Sequence, residues 1–327
     1  MTVARHFVAV STLAIAITAG AQTAAPRLTA TNLPLQHQAA ALTYVTPKVS
    51  GPLDPLVNFN SASIKFNLQT LTETLRDNRH EGWVLAAYPD PKTSRPLIGA
   101  GFSLDLPARE HPQSDPLNST PFLEPSSAQI WEAAGLPPQQ LESMLQQFDR
   151  QLDAWNKKKF RRKIRTGELF PQMTEEDADK LLRIYAIQAV HNARAYCRNF
   201  DELTGSQQMA LAQMVYQMGV NLEQFTNFLG AINTPPPDPS AAAYDAEYWH
   251  SVQSTLVQTD WARRYSTRAI SVIAMFDPTY SSDPYEAERR VSAEVHPLHR
   301  AHKKRRAPAV RTASLHKKSS THSRKKA

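Results

Sequence analysis

The sequence contains only one cysteine, Cys197, among its 327 residues. An intramolecular disulfide therefore cannot form, and the stability of the fold has to come from packing. The cysteine lies near the end of a segment with helical periodicity, Asp179 to Arg198, where it is expected to be a buried small residue. The chain is long enough for a sizeable core and for one or two globular units.

Long apolar runs are also lacking, apart from a short one near the start of the chain. It extends from Phe7 to Ile17, follows the basic Arg5, and is followed by the small residues Thr18 to Ala21. A basic start, an apolar run too short to span a bilayer and an A-x-A-like exit are typical of a secretory signal peptide, here residues 1–21. We therefore expect a secreted or periplasmic protein, with a retained signal anchor as the alternative.

Charge is distributed unevenly along the chain. Residues 22–63 carry few charges and are rich in Ala, Thr and Pro, which predicts a linker with limited docking of Leu53 to Phe59. The segment from Arg300 to Ala327 contains eleven Lys or Arg residues and no acid, so the rest of a chain of net charge +7 has a charge near −4. Because such a segment does not fold by itself, residues 281–327 are predicted to form a disordered basic tail.

The expected partner of the basic tail is an anionic polymer or a membrane surface. The tail lacks the interleaved aromatic residues that stack on bases, and together with the signal sequence this argues against a DNA-associated protein. His296, His299 and His302 are three residues apart, but Pro297 interrupts any helix and no carboxylate accompanies them. Neither a metal site nor a cofactor is expected.

Two carboxyl groups, Glu81 and Asp90, lie close together in the sequence. The apolar residues before them recur at helical spacing: Ile64, Leu68, Leu71 and Leu75. They predict a helix that has its N-cap at Ser61 or Ser63, runs to about His80 and ends where Gly82 offers a left-handed position.

Paired carboxyl groups are the minimum equipment for cutting a glycosidic bond, since one must arrive protonated and the other ionised. At a helix C-terminus and beside Trp83, the pKa of Glu81 is expected to be raised. Asp90 follows in a Pro-flanked loop, where it is expected to be solvated and ionised. A Glu-Gly pair also ends many helices and an Asp-Pro pair opens many turns, so this pattern alone does not decide the function.

Four segments in fixed order resemble the phage-type (T4-like) lysozymes, glycoside hydrolase family 24. They are Glu81 to Gly101, Met173 to Leu182, Ala210 to Asn227, and Trp261 to Phe276. The resemblance covers residues 64–280 and implies a catalytic domain there, with an insertion at about 105–165. The implied fold is α+β and mostly α, with two lobes: a small lobe with a short antiparallel sheet and a helical large lobe.

The resemblance also implies an activity and a site. The reaction would be hydrolysis, with inversion, of the β-1,4 bond between N-acetylmuramic acid and N-acetylglucosamine in peptidoglycan, by a monomer that uses no cofactor. Glu81 would be the general acid and Asp90 the base. The supporting residues would be Arg268, which pairs with Glu81, and Gln217, which lines the cleft; the substrate-binding residues would be Gly99, Gly101 and Phe225.

The chain departs from the family pattern at two positions. The family keeps a threonine that helps to hold the attacking water, and here that position is Leu97. The loop after Asp90 is one residue longer, so Thr93 or Ser94 supplies the hydroxyl in one interpretation. In the other, the protein is a catalytically weak or inactive peptidoglycan-binding protein of the same fold. The second departure is Phe102, which replaces the usual histidine, so a structural ion pair of the small lobe is expected to be absent.

Overall fold

The computed structural model describes residues 53–77, 83–90, 92–157, 169–234 and 245–296. The predicted signal peptide, most of the predicted linker, Glu81 and the segment from 297 onwards lie outside the described residues. Helices predominate, and a small three-stranded antiparallel sheet accompanies them, which confirms the predicted mostly-α member of the α+β class. Among the described residues, no helix combines the length and the apolar content needed to cross a bilayer.

The described residues contain eleven α-helices, three short 3-10 helices and three strands. The helices are α1 (Asp54–Val57), α2 (Leu68–Arg76), α3 (Ser127–Ala133), α4 (Pro138–Lys157), α5 (Glu175–Tyr196), α6 (Gly205–Met218), α7 (Thr226–Asn233), α8 (Ala246–Val257), α9 (Asp260–Arg264), α10 (Ser266–Ala274) and α11 (Pro284–Val295). The strands are β1 (Val84–Pro89), β2 (Pro96–Gly99) and β3 (Phe102–Ser103), and the 3-10 helices are Ser61–Ser63, Phe200–Glu202 and Gly219–Gln224.

The sheet is a short antiparallel ribbon in the order β1-β2-β3. Tight reversal between β2 and β3 requires positive φ angles, which Gly99 (61°) and Gly101 (90°) supply. At Gly99 a Cβ atom would also lie 2.6 Å from a ring carbon of Phe102, so no larger residue fits there without a shift. The Gly-x-Gly pattern therefore serves to fold the ribbon back on itself.

Helix α2 is shorter than predicted at both ends. It begins at Leu68 because the Asn67 side chain caps it by accepting from the backbone N–H of Gln69, at 2.8 Å. It ends at Arg76, with Asp77 already in an extended conformation, so the predicted continuation to His80 is wrong. Its predicted apolar face is confirmed, with Leu68, Leu71 and Leu75 buried.

Helix α5 is the long central helix of the fold. It begins after Thr174, whose hydroxyl accepts from the backbone N–H of Asp177 at 3.1 Å. The helix packs against α2 and α6 within one continuous core. That core reaches from Ile98 in β2, through Leu182 in α5, to Phe276 beyond α10, and all three side chains are fully buried. The sheet therefore rests on the same core as the helices.

The region predicted as an insertion contains two helices and an irregular segment. Helix α4 buries Leu141 and Phe148. Helix α3 was not predicted, although Ser126 and Gln129 form a reciprocal capping box at its start. The segment 104–126, which we call the strap, has no helix or strand and lies against α5.

The strap is held by side-chain amides that bond to backbone groups. The Asn118 side chain donates to the carbonyl groups of Arg194 and Ala195, at 2.8 and 2.9 Å. The Asn192 side chain accepts from the N–H of Leu123 at 2.8 Å and donates to its carbonyl group at 2.9 Å. Since the last carbonyl groups of a helix lack partners within it, the strap caps the C-terminal end of α5.

One predicted boundary has to be moved, and a second prediction at the edge of the domain holds. The prediction that a disordered tail starts at residue 281 is wrong, because α11 is capped by Asp283 and packs on α10. Its buried residues lie four apart: Ala287, Val291 and Val295. The predicted docking of the end of the linker is confirmed, because Leu53 and Leu56 are buried in the core around α1.

Candidate active site

A cleft of about 270 Å³ lies between the ribbon, the strap and the central helices. Asp90, Leu97 and Gly101 line it from the ribbon side. Glu124 lines it from the strap, and Gln217 from the last turn of α6. Three of the residues expected at the site, Asp90, Gly101 and Gln217, are thus brought to one cavity from two distant parts of the chain.

Asp90 follows β1 and organises the loop behind it. Its Oδ1 accepts from the backbone N–H groups of Lys92 and Thr93, both at 2.7 Å. Its own N–H donates to the carbonyl oxygen of Arg95 at 2.8 Å, which closes the loop. These bonds fix the direction of the carboxylate at the edge of the cleft.

Thr93 and Ser94, the two hydroxyl-bearing residues in the loop after Asp90, are not among the residues that line the cleft. Thr93 is exposed, and its Oγ1 accepts from the N–H of Arg95 at 3.3 Å. Ser94 has a φ angle of 63°, an uncommon value for a residue with a side chain. Leu97 does line the cleft, so an apolar side chain occupies the wall where the family has its threonine.

Gln217 joins the cleft to a neighbouring cavity. Its Oε1 accepts from Nε1 of Trp261 at 3.2 Å. Its Nε2 is buried and has no hydrogen-bond partner among the described residues. Buried amide groups are nearly always paired, so an unpaired donor at a cavity is a candidate for bonding to a bound molecule.

The neighbouring cavity has a volume of about 370 Å³ and includes Phe225, Trp261, Asn221 and Asn227 in its wall. The rings of Phe225 and Trp261 meet edge to face, with 6.4 Å between their centroids. Phe225, expected at the substrate site, therefore lies in this cavity and not beside Asp90. Aromatic rings with a few amide groups are a common lining for ligand pockets.

Two contacts of aromatic side chains join the ribbon to the central helices at the cleft. Phe102 stacks on Tyr185 of α5, with ring centroids 4.5 Å apart and planes 3° from parallel. The hydroxyl of Tyr216, in α6, donates to the carbonyl group of Ala100 at 3.2 Å. All four residues belong to the lining of the cleft.

Two of the expected residues, Gly99 and Arg268, are not among the residues that line this cleft. Gly99 forms the β2–β3 turn described above. Arg268, in α10, is buried, with 7% of its surface exposed. Its expected partner, Glu81, lies outside the described residues. The expected pairing of Arg268 and the expected separation of the Glu81 and Asp90 carboxyl groups therefore stay predictions.

Glu124 was not predicted as a site residue. Its side chain is 13% exposed, and burial raises the pKa of its carboxyl group, while the nearby Arg109 and His111 oppose that shift. The signal was weak, because Glu124 stands between Leu123 and Pro125 in a Pro-rich stretch without periodicity. Only the path of the strap across α5 brings it to the cleft.

The chain matches no protein-family model, no curated protein and no solved structure.

Proposed function

We propose that the protein is a glycoside hydrolase that cleaves the β-1,4 bond between N-acetylmuramic acid and N-acetylglucosamine in peptidoglycan, with inversion, on the two-lobe fold of the phage-type lysozymes. The observation that carries the proposal is the convergence of Asp90, Gly101 and Gln217 on one cleft. Asp90 and Gly101 belong to one of the four segments and Gln217 to another, and the resemblance requires them to meet.

The reaction needs two carboxyl groups in opposite protonation states. In the proposed mechanism, Glu81 gives its proton to the oxygen of the leaving sugar. Asp90 takes a proton from a water molecule, which attacks the anomeric carbon from the opposite face of the ring. For this geometry the two carboxyl groups should be about 6.5–9.5 Å apart.

Substrate binding in this proposal uses both cavities. The buried Nε2 of Gln217 supplies a donor for a sugar oxygen or an acetamido carbonyl group. The aromatic wall around Phe225 and Trp261 takes an adjacent part of the polymer. The hydrogen bond between Gln217 and Trp261 keeps the two sites in a fixed relation.

A second candidate function is favoured by the position of Leu97. With this side chain in the cleft wall, and with Thr93 and Ser94 outside the lining, the water that Asp90 would activate lacks a hydroxyl partner at that position. Loss of such positioning can lower a rate greatly. The alternative is a protein that binds peptidoglycan through the same cleft with little or no turnover.

One experiment separates the two candidates. Purified protein is incubated with peptidoglycan, and both the release of reducing ends and the co-sedimentation with walls are measured. We expect release by the unmodified protein, loss of release in Glu81→Gln and Asp90→Asn, and unchanged co-sedimentation in both variants. Co-sedimentation without any release by the unmodified protein would establish the binding function instead.

The remaining proposals concern location and partners. We propose that residues 1–21 direct the protein to a secreted or periplasmic location, with retention of this segment as an anchor as the alternative. The basic tail would hold the protein, as a monomer, on an anionic wall polymer or membrane surface.

A further inference from the structure

The carboxyl group of Glu124 has only long contacts. Among the described residues it accepts one hydrogen bond, from Nδ2 of Asn192 at 3.5 Å, and forms two ion pairs, with Nη2 of Arg109 at 3.8 Å and Nδ1 of His111 at 3.9 Å. Hydrogen bonds from a cation to a carboxylate are usually about 2.7–2.9 Å long. A carboxyl group that is 13% exposed and lines a cavity therefore keeps its capacity for a short, strong bond.

His111 is held by two other contacts. Its Nε2 lies 2.7 Å from Oε1 of Glu223, and its ring stacks on Phe122 with centroids 3.7 Å apart. The His111 side chain is 8% exposed, and its Nδ1, 3.9 Å from Oε1 of Glu124, has no hydrogen-bond partner among the described residues. The Glu124 carboxyl group therefore retains the capacity to accept a short hydrogen bond from a molecule bound in the cleft.

The charge of the cleft selects the kind of donor. The residues that line it include two acids, Asp90 and Glu124, and no Lys, Arg or His among the described residues. Arg109 stands outside this lining and is about half exposed, so water screens its charge. A partly desolvated carboxylate gains most from a donor that also carries positive charge, since charge-assisted bonds are about twice as strong as neutral ones.

We propose that Glu124 is a specificity-determining residue that binds the ammonium group of an amino sugar lacking its N-acetyl group, within a β-1,4-linked glycan. The inference rests on the proposed function, because it assigns the sugar to the same cleft. It goes further by naming a chemical preference among glycans: chains that contain free amino groups bind better than fully acetylated ones. Ser103 and Asn192, which also line the cleft, provide neutral contacts that either kind of sugar can use.

The test compares two tetrasaccharides, a β-1,4 glucosamine tetramer and its fully N-acetylated form. Their affinities are measured by calorimetry at a pH just below neutral, chosen to protonate the amine while keeping ionised the Glu124 carboxyl group, whose pKa is raised by burial. The full chain carries Glu81→Gln to prevent turnover. We expect the glucosamine tetramer to bind tighter by about tenfold, which corresponds to about 1.4 kcal/mol. Adding Glu124→Gln should abolish the preference and leave the affinity for the acetylated tetramer nearly unchanged.

Matched variants keep the test informative. Glu142→Gln removes the same charge from an exposed position on α4 and should leave the preference intact. Glu124→Asp keeps the charge and should retain a weaker preference, which also covers a failure of Glu124→Gln to fold. Equal binding of the two tetramers overturns the inference, as does a preference that survives in Glu124→Gln.

The outcome is separable from that of the proposed function. If the unmodified protein releases reducing ends from peptidoglycan but shows no preference for the glucosamine tetramer, the role of Glu124 is overturned and the hydrolase stands. If neither tetramer binds and no reducing ends are released, both proposals are overturned.

Discussion

At the scale of single residues, three glycines differ in what a methyl group would meet. At Gly99 the φ angle is positive and a Cβ atom would lie 2.6 Å from the Phe102 ring. At Gly135 the φ angle is also positive, but nothing lies within 4 Å. At Gly230, inside α7, neither problem exists. Comparing alanine variants at the three positions therefore distinguishes the cost of backbone strain from the cost of steric overlap.

We expect the three alanine variants to follow that order. Gly230→Ala should stabilise the fold by about 0.5–1 kcal/mol, because alanine is the better helix former. Gly135→Ala should destabilise it by about 1–2 kcal/mol through its left-handed backbone. Gly99→Ala should lose more than Gly135→Ala, since overlap with the ring adds to the strain. Urea denaturation measures all three, and equal losses at Gly99 and Gly135 would contradict the ring contact.

Leu97 offers a direct test of the missing hydroxyl. If the cleft holds its water poorly for want of a partner, Leu97→Thr should raise the rate at which reducing ends are released. One added hydrogen bond in the transition state, about 1.4 kcal/mol, corresponds to about a tenfold change. Leu97→Val, which shortens the side chain without adding a hydroxyl, is the control. A rate that rises equally in both variants would mean that space, and not the hydroxyl, limits turnover.

At the scale of structural elements, the strap depends on Asn118. Its side chain donates to two carbonyl groups in the last turn of α5 and accepts from the N–H of Thr120 at 2.9 Å. Asn118→Ala removes all three bonds, although the Ala195 carbonyl group keeps the bond from Nε2 of Gln113 at 3.0 Å, and we expect a loss of about 1–3 kcal/mol in the free energy of unfolding. Gln146→Ala, at an exposed position of α4, should change it little. Faster proteolytic cleavage within 104–126 would locate the loss in the strap.

Helix α11 and the segment after it can be distinguished by truncation. A chain ending at His296 keeps the buried residues of α11 and should melt at the same temperature as the full chain. A chain ending at Asp283 loses Ala287, Val291 and Val295 from the core. We expect it to be less stable by about 3 kcal/mol or more, because each valine contributes about 1.5–3 kcal/mol on burial. Identical thermal denaturation of the two truncated chains would contradict the packing of α11 on α10.

The elements that sequence predicted well are those with local signals. Helix α5 has a threonine cap and a sustained apolar face, and it includes most of the segment with helical periodicity, Asp179 to Arg198. Helix α2 starts at Leu68, later than predicted, because Asn67 is its N-cap. Ser61–Ser63, where the start was predicted, forms a separate 3-10 turn. The strap could not be predicted, because Asn118 and Asn192 bind backbone groups far along the chain. Helix α11 was not predicted, because the basic composition of residues 300–327 was extended to the whole segment after residue 280.

The same distinction applies to the cleft. Asp90, Gly101 and Gln217 belong to recognisable motifs, so their meeting could be expected. Glu124 belongs to no motif, and its proximity to Asn192 depends on the path of the strap. The sequence motifs therefore predicted the residues that the ribbon and α6 contribute to the cleft, but not the one that the strap contributes.

At the scale of the whole molecule, the uneven charge predicts a salt effect. Residues 300–327 contain eleven positive charges, and the rest of the chain has a charge near −4. We expect the full chain to co-sediment with anionic vesicles or walls at low salt and to be released as salt is raised. The chain ending at His296 should bind anionic vesicles weakly at any salt concentration, and both chains should release reducing ends from soluble glycan fragments at similar rates. Salt-independent binding of the full chain would contradict the electrostatic role of the tail.

The hydroxyl of Tyr216 and the carbonyl group of Ala100 both belong to the lining of the cleft, and the bond between them ties α6 to the ribbon. A movement that separated these two walls would have to break this bond. The bond therefore resists widening of the groove, and the width available to a bound chain is coupled to the docking of the ribbon on α6.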